Sequence, residues 1–462
     1  MVVLPSTGEF DSRAYRIART LHERGHEVTV LARWKPGLAR REVHPVGYPI
    51  VRVEATAVDG LPFQVVTLPV LRALRLAVRP ILGPVAFGSG PGAEPVGPGA
   101  TPDPAAGAAD TDGAEPLAEE TDPGWAHPAA RDPGRLRGYV RRARIFLMIR
   151  SHRRRALAVA PRADVYHGMA YMGISVALAL GKRHQAKVVY DSRDIYMVAA
   201  NLARLRGPIK AVLARLERGW ARAADRVFTV NQPYATELAR RFGVSMPVIV
   251  MNCSYRFSSP APQPRRFHER LGLDPETRVV LYQGGFSVGR GVEPLMEAIR
   301  QVPGAVLVVM GYGALEAEFR AAAERPEQQG RVYVLPAVPP TELLDWVASA
   351  DVVGVLFQHD TLNNYLSTPN KFLEAMAAGV PTVCSDHPGM APIARATGCG
   401  IPVDPTDIQA IAAAIRSIVD APSEERSAMR ARALAAAHDT YNWETQVRAL
   451  LQEYTRLTGR QW

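Results

Sequence analysis

One stretch of the sequence, residues 367–386, combines residue types that suit a phosphate together with a sugar hydroxyl. Pro369 disfavours helix for the residue before it and suits the first position of a new helix, which Gly379 ends. Lys371 and Glu374 are three residues apart, so this helix places them on one face. A polar loop that opens a helix before a parallel strand is where open α/β sheets hold ligands. On its own, the pair also fits an ordinary surface ion pair.

A second candidate anion site is the glycine-rich sequence Gln283-Gly-Gly-Phe-Ser-Val-Gly-Arg-Gly-Val-Glu293. It lies between a predicted strand and a predicted helix, and its glycines, Gly284 and Gly285 among them, let backbone amides approach an anion closely. Arg290 adds a guanidinium that makes charge-assisted hydrogen bonds to a diphosphate. Gly311 follows the next predicted strand and extends the pattern. The loop by itself is equally typical of plain turn geometry.

Predicted strands and helices alternate through most of the chain. Apolar runs predict strands at residues 2–4, 26–32, 164–167, 187–190, 226–230 and 247–251, and then at 279–282, 306–310, 332–334, 351–356 and 382–384. Continuous apolar strands separated by helices indicate an α/β fold with a parallel sheet in both halves. Because 462 residues exceed a single core, we expect two doubly wound domains.

The alternation divides the chain into three parts. Residues 1–257 form an N-terminal domain, 258–442 a C-terminal domain, and 443–462 a last helix that begins at Trp443. The proline-rich sequence that opens the second part marks the domain boundary. Within the first part, residues 84–134 are rich in proline, glycine, alanine and acidic side chains, a composition typical of a disordered insert.

The segment that follows this insert, residues 135–155, is rich in arginine. It predicts a helix with Val140, Phe146 (or Ile145) and Ile149 as apolar positions among the basic ones. Such a helix either lies on an anionic membrane surface or packs its apolar positions on the domain.

The amino-acid composition favours some classes of function for this protein over others. The net charge of +10 suits an anionic substrate or an anionic membrane surface, whereas the arginines lack the interleaved aromatic residues expected of a nucleic-acid binder. Three widely spaced cysteines form neither a disulfide framework nor a metal site, and a reducing cytoplasm fits them. The opening residues predict a strand and not a signal peptide, and no apolar run approaches the length of a membrane span.

A set of short motifs runs through both domains outside the insert. They are Asp11-Ser-Arg13 with Gly25-His-Glu-Val28, Asp164-Val-Tyr-His167, Tyr190-Asp-Ser-Arg-Asp194, Ala224-Asp-Arg-Val-Phe-Thr-Val230, Gly284 to Gly291, Met310-Gly-Tyr-Gly313 and Ser367-x-Pro-Asn-Lys-x-x-Glu374-Ala-Met-Ala-Ala-Gly-Val-Pro381. Together they resemble the family-four glycosyltransferases of the GT-B fold, in the Ser-x-Pro-Asn-Lys branch associated with polysaccharide synthesis. The resemblance implies two Rossmann-like domains facing a cleft, with the last helix crossing back onto the first domain.

The same resemblance implies a nucleotide-sugar donor bound mainly by the second domain. Glu374 matches the final glutamate of the family's E-x7-E motif, which holds the ribose hydroxyls of the nucleotide. Arg290 takes the place of the lysine that binds the donor diphosphate, and the Gly8 loop would approach that diphosphate from the other domain. As the bond to the leaving diphosphate breaks, Arg290, Lys371 and the amides near Gly284 would stabilise its negative charge.

The sequence also departs from the family pattern. The first glutamate of E-x7-E falls at Leu366, so its usual contact with the donor sugar is absent or is replaced by Asn370 or Lys371. The family's Asp-x-His-Glu is replaced by Asp191-Ser-Arg-Asp194. Arg193 and Asp194 are predicted to act in the cleft, or else to join Asp191 in a buried ion network.

These patterns together predict a retaining glycosyltransferase that acts on a saccharide or lipid-linked acceptor at the cytoplasmic face of a membrane. No cofactor and no metal are expected. A nucleotide-sugar epimerase of the same architecture is one alternative. A catalytically silent subunit that binds a partner enzyme is another, and the substitutions at Leu366 and Arg193 keep it open.

Overall fold

The structure, a computed structural model, describes residues 1–9, 11–56, 135–199, 202 and 207–462, with the backbone alone for 135–143. The strands are β1 (Val2–Val3), β2 (Val30–Arg33), β3 (Arg41–Val43), β4 (Pro49–Val53), β5 (Val165–Met169), β6 (Lys187–Asp191), β7 (Arg226–Thr229), β8 (Val248–Ile249), β9 (Arg278–Gly285), β10 (Ala305–Tyr312), β11 (Val332–Pro336), β12 (Val352–Val355), β13 (Thr382–Ser385) and β14 (Gly400–Val403). The predicted insert, residues 84–134, lies outside the described residues.

Helices connect most of these strands. They are α1 (Ser12–Glu23), α2 (Arg135–Val159), α3 (Ala170–His184), α4 (Pro208–Ala223), α5 (Gln232–Phe242), α6 (Arg266–Leu271), α7 (Val292–Ile299), α8 (Glu316–Ala323), α9 (Leu343–Ala348), α10 (Leu362–Leu366), α11 (Asn370–Ala377), α12 (Ala391–Thr397), α13 (Ile408–Val419), α14 (Ser423–Asp439) and α15 (Trp443–Thr458). A short 3-10 helix, Tyr196–Val198, follows β6. Within the described residues, no helix is both long and apolar enough to cross a membrane.

The described strands form two sheets. The first has the order β3-β4-β2-β1-β5-β6-β7-β8 and the second β11-β10-β9-β12-β13-β14. In each sheet the strand order reverses near the middle, beside β1 in the first and beside β9 in the second, which is where open α/β sheets place their ligands. The prediction of two doubly wound parallel-sheet domains is confirmed. One detail was wrong, because β3 pairs with β4 in antiparallel fashion at the edge of the first sheet.

Sequence patterns misplaced some elements and missed others. The strand predicted at residues 26–32 begins only at Val30, because β1 pairs Val2 with Val30 and upstream residues have no strand beside them. The patterns also missed β3, β4, β14 and α10. Of these, β14 contains Pro402, which is tolerated because this strand lies at the edge of its sheet. Pro369, predicted as the first helical residue, is instead the N-cap of α11.

The last helix, α15, packs on the first sheet although it follows the second domain in sequence. Trp443, Leu450 and Tyr454 are buried in one apolar cluster with residues of β1, α1 and β5. The indole nitrogen of Trp443 donates to the Thr20 hydroxyl at 2.8 Å. The chain therefore returns to its first domain, and α15 joins the two halves. The exact limits of the three predicted parts stay predictions.

The basic helix α2 uses its described apolar side chains inside the protein. Ile145, Met148 and Ile149 are buried in a cluster with residues of α3, and the Ser151 hydroxyl accepts from the Thr56 amide at 3.1 Å. Arg150 and its basic neighbours remain on the exposed side. Packing on the domain therefore accounts for these apolar positions, and contact with an anionic membrane stays a prediction.

Candidate functional site

The carboxyl ends of β9 and β10 form a glycine edge, made of Gly284, Gly285 and Gly311. Gly311 pairs with Gly284 across the two strands and has φ +158°, and a Cβ there would lie 1.9 Å from the Gly284 carbonyl oxygen. Only glycine fits that approach. A Cβ at Gly285 would meet nothing within 4 Å, so the backbone is open to a ligand at this end of the second sheet.

Helix α11 places the ammonium of Lys371 at this glycine edge. Lys371 is only 2% exposed, and its Nζ lies 4.1 Å from the centroid of the Tyr282 ring. A Cβ on Gly284 would be 3.0 Å from the same nitrogen. The missing side chain at Gly284 thus leaves the space that brings a buried cation against the half-buried backbone at the end of β9.

A second cation, Arg290, converges on the same place. Its guanidinium carbon lies 4.4 Å from the centroid of the Phe357 ring, and Lys371 Nζ lies 5.4 Å from that centroid. Cation–π attraction to the ring offsets part of the repulsion between the two like charges. The arrangement leaves a concentrated positive charge that suits a multiply charged anion such as a diphosphate.

Glu374 lies one helical turn beyond Lys371 and is 3% exposed. It accepts a hydrogen bond from the side-chain amide of Gln283, which ends the apolar part of β9. Gln283 is itself 5% exposed. This bond ties α11 to β9, and it orients a buried carboxylate that can accept from ligand hydroxyls.

The first domain contains a buried ion network behind its own sheet edge. The Arg13 guanidinium donates to both carboxylate oxygens of Asp191, at 2.7 and 3.1 Å. His167 Nε2 lies 3.0 Å from the same carboxylate, and its Nδ1 lies 2.6 Å from the Tyr454 hydroxyl of α15. Burial would by itself raise the pKa of Asp191, but Arg13 and His167 hold it well below its ordinary value. Burial lowers the pKa of His167.

The loop after β6 contacts the second domain. Asn363 of α10 donates to the Asp194 carboxylate at 2.9 Å, and its side-chain oxygen accepts from the Ile195 amide at 2.8 Å. Tyr234 donates to the Asn363 carbonyl at 2.9 Å. Asn231 donates to the Leu366 carbonyl at 2.8 Å. We call this set of contacts the α10 latch.

Comparison with known proteins agrees with this geometry. The family model "Glycosyl transferases group 1" matches residues 264–435, and "Glycosyl transferase 4-like domain" matches residues 98–253. The D-inositol 3-phosphate glycosyltransferase of Xylanimonas cellulosilytica is 24% identical over 315 residues, which cover 64% of this chain and 73% of that protein. The two family matches together span more than two thirds of the chain, across both sheets. The chain belongs to family four of the GT-B glycosyltransferases.

Solved structures share the fold of this glycosyltransferase. Sucrose-phosphate synthase from Thermosynechococcus elongatus superposes with a TM-score of 0.66 at 16% identity, covering 99% of this chain and 98% of that one. Anabaena HepE in complex with UDP-glucose gives a TM-score of 0.56 at 17% identity, covering 68% and 84% of the two chains. At sequence identities of 16% and 17%, the similarity shows that the three proteins share an architecture.

The glycosyltransferase brings together most of the residues predicted to bind the donor. Contacts or close approaches join the glycine edge, Lys371 and Glu374, with Arg290 beside them across the Phe357 ring. Asn370, predicted in the same set, instead accepts from Asn252 of the first domain at 3.0 Å. Gly8 has φ +80°, and the three atoms nearest to a Cβ there would belong to Leu4, Ala32 and Tyr15 of the first domain.

The two residues predicted to act in the cleft of the glycosyltransferase have other described partners. Arg193 donates to Asp11 at 2.8 Å, and Asp11 is the N-cap of α1. Asp194 belongs to the α10 latch. These contacts fix the positions of both side chains, and the catalytic role predicted for them stays a prediction.

Sequence reasoning assigned no role to Gln283 or Asn363. Gln283 was visible as the polar residue that ends an apolar strand directly before two glycines, a pattern that indicates a ligand-facing edge. Asn363 had no such signal, because it lies in a short helix that the apolar pattern did not predict.

Replacing Asn363 by Ala is expected to loosen the α10 latch of this glycosyltransferase. The change removes the acceptor of the Ile195 amide and the donor to Asp194, and a buried group that loses its partner costs about 1–3 kcal/mol. We expect the Ile195 amide to exchange roughly tenfold faster or more, as measured by hydrogen exchange. Asn364→Ala is the matched control, because Asn364 donates to Asp360 within the second domain. Unchanged exchange at Ile195 in Asn363→Ala would show that Asn363 does not hold the loop after β6 in place.

Proposed function

We propose that this protein is a retaining glycosyltransferase that moves a sugar from a nucleoside-diphosphate donor to a saccharide or lipid-linked acceptor, in the synthesis of cell-surface polysaccharide or glycolipid. The observation that carries the proposal is the convergence of Lys371 and Arg290 on the glycine edge. It is supported by the HepE structure, whose ligand is UDP-glucose.

The proposed reaction uses positive charge in place of a nucleophilic side chain. Breaking the bond between the sugar and the diphosphate develops negative charge on the leaving group. Arg290, Lys371 and the backbone amides at Gly284 and Gly285 stabilise that charge as it forms. The acceptor hydroxyl enters on the face from which the diphosphate departs and passes its proton to it, so the configuration of the sugar is retained. We assign no step to a metal ion.

Glu374 is proposed to bind the ribose hydroxyls of the donor. Its carboxylate is buried beside the cations and is oriented by Gln283. Leu366 occupies the position of the family's other glutamate. Its environment differs from that of Glu374, because its side chain packs with an apolar cluster of the first domain. Between the two substitutes predicted for that lost contact, Lys371 is better placed than Asn370, whose oxygen already accepts from Asn252.

Thermal-shift binding across UDP-, GDP-, ADP- and TDP-sugars tests this assignment. We expect one nucleotide class to raise the melting temperature, with the shift unaffected by EDTA. Glu374→Ala removes the ribose contact and should weaken binding roughly 10- to 100-fold, so most of the shift disappears at the same ligand concentration. The control is Glu297→Ala, an exposed glutamate on α7 that pairs only with Arg300 among the described residues. Stabilisation that survives Glu374→Ala would contradict the assignment.

A further inference from the structure

A cavity of about 240 Å³ lies in the first domain, between α4, α5 and the 3-10 helix after β6. Its lining includes four charged side chains and two apolar ones: Arg215, Glu217, Arg218, Arg241, Leu238 and Phe242. The volume is below the ~300–1,000 Å³ typical of sites for drug-sized ligands and allows roughly eight water molecules at ~30 Å³ each. No described lining residue belongs to the second sheet, so the cavity is separate from the glycine edge.

Glu217 gives the cavity a buried carboxyl group. It is 2% exposed, and its Oε1 accepts from the Tyr190 hydroxyl at 2.7 Å. Burial raises the pKa of Glu217 to about 7, although the bonds from Tyr190 and the charge of Arg241 oppose the shift. Near neutral pH this carboxyl therefore exists in both forms, and it can donate to or accept from a ligand hydroxyl.

Three arginines, Arg215, Arg218 and Arg241, also line the cavity. Arg241 pairs with Glu237 at 2.6 Å. Arg215 and Arg218 lie one turn apart on α4, and among the described residues neither forms an ion pair. The lining thus has more positive than negative charge. Guanidinium groups in this density bind phosphate or sulfate by paired hydrogen bonds.

We infer that this cavity is a binding site for a small phosphorylated sugar or polyol. The arginines would bind the phosphate, Glu217 would bind a hydroxyl, and Leu238 with Phe242 would contact the apolar face of the ring. A nucleotide sugar is too large for the volume. The inference does not rest on the proposed donor site, because no residue is shared between the two.

Calorimetric titration with glucose 6-phosphate tests the site, with glucose and inorganic phosphate as comparison ligands. We expect saturable binding of glucose 6-phosphate that is at least tenfold tighter than that of either comparison ligand. The double variant Arg215→Gln, Arg218→Gln changes exposed side chains only, and it should weaken that binding at least tenfold. Glu374→Ala should leave it unchanged. Absence of saturable binding, or binding unaltered by the double variant, would overturn the inference.

The pH dependence tests the role of Glu217 directly. Glucose 6-sulfate is the probe, because its charge is constant where a phosphate would titrate. An ionised Glu217 repels the anion, so affinity should fall several-fold as the pH rises from 6 to 8. Glu217→Gln is nearly isosteric and cannot ionise, and it should give an affinity independent of pH. A pH dependence that persists in this variant would show that Glu217 does not face the ligand, contrary to the inference.

Discussion

Replacing Arg290 by Gln is expected to lower kcat for sugar transfer roughly 100- to 1,000-fold, the usual cost of removing one group that stabilises a developing negative charge. Arg290 lies beside Lys371 across the Phe357 ring, and its charge would act on the diphosphate as it leaves. Because that interaction strengthens only as the bond breaks, kcat and kcat/KM should fall together. Initial rates of nucleoside-diphosphate release at saturating donor measure the effect.

Arg300→Gln is the matched control for this change. Arg300 is the C-cap of α7, close in sequence to Arg290, and forms an exposed pair with Glu297 at 2.8 Å. It lies outside the proposed site, so the rate should stay near that of the parent. A raised KM with unchanged kcat in Arg290→Gln would show that Arg290 binds donor and transition state equally, and the proposed charge stabilisation would then be wrong.

Residues that lie close in sequence made the donor side of this protein predictable. Lys371 and Glu374 are one helical turn apart on α11, and the two glycines at the end of β9 follow an apolar strand. Each pattern depends on local periodicity and on backbone freedom, which a sequence displays directly. The parallel sheets were predictable for the same reason, since buried strands appear as short apolar runs between helices.

Long-range partners could not be predicted in this way. Asn363 and Ile195 are 168 residues apart, and Gln283 and Glu374 are 91 residues apart. Periodicity contains no information about which side chains of distant elements meet, whether within one domain or between two. The basic helix shows a related limit, because its composition suited a lipid surface as well as packing on the protein. Only the packing of Ile145 and Met148 on α3 assigned those apolar positions.

Asp191→Asn is expected to destabilise the first domain by about 3–5 kcal/mol, because it leaves the buried Arg13 guanidinium without a counter-charge. Both side chains are fully buried, so water cannot replace the lost carboxylate. Urea titration followed by amide exchange in β5 and β6 measures the first domain by itself. Asp164→Asn is the control, since Asp164 is 62% exposed in its pair with Arg460 and should have little effect.

Removing Arg13 as well should recover part of that loss, because the cost arises from one charge left without the other. The double variant Arg13→Met, Asp191→Asn is therefore expected to be more stable than the sum of the single changes predicts. Additive effects would mean that the two residues act independently, against the geometry.

The stabilisation that Asp191 gives to the parent protein should also depend on pH, in one direction. Since the pKa of Asp191 is lowered by folding, its stabilisation is complete above the ordinary carboxyl value of ~3.9 and is lost as the pH falls below it. The difference between parent and Asp191→Asn should then shrink in acid, because the protonated carboxyl resembles the amide that replaces it.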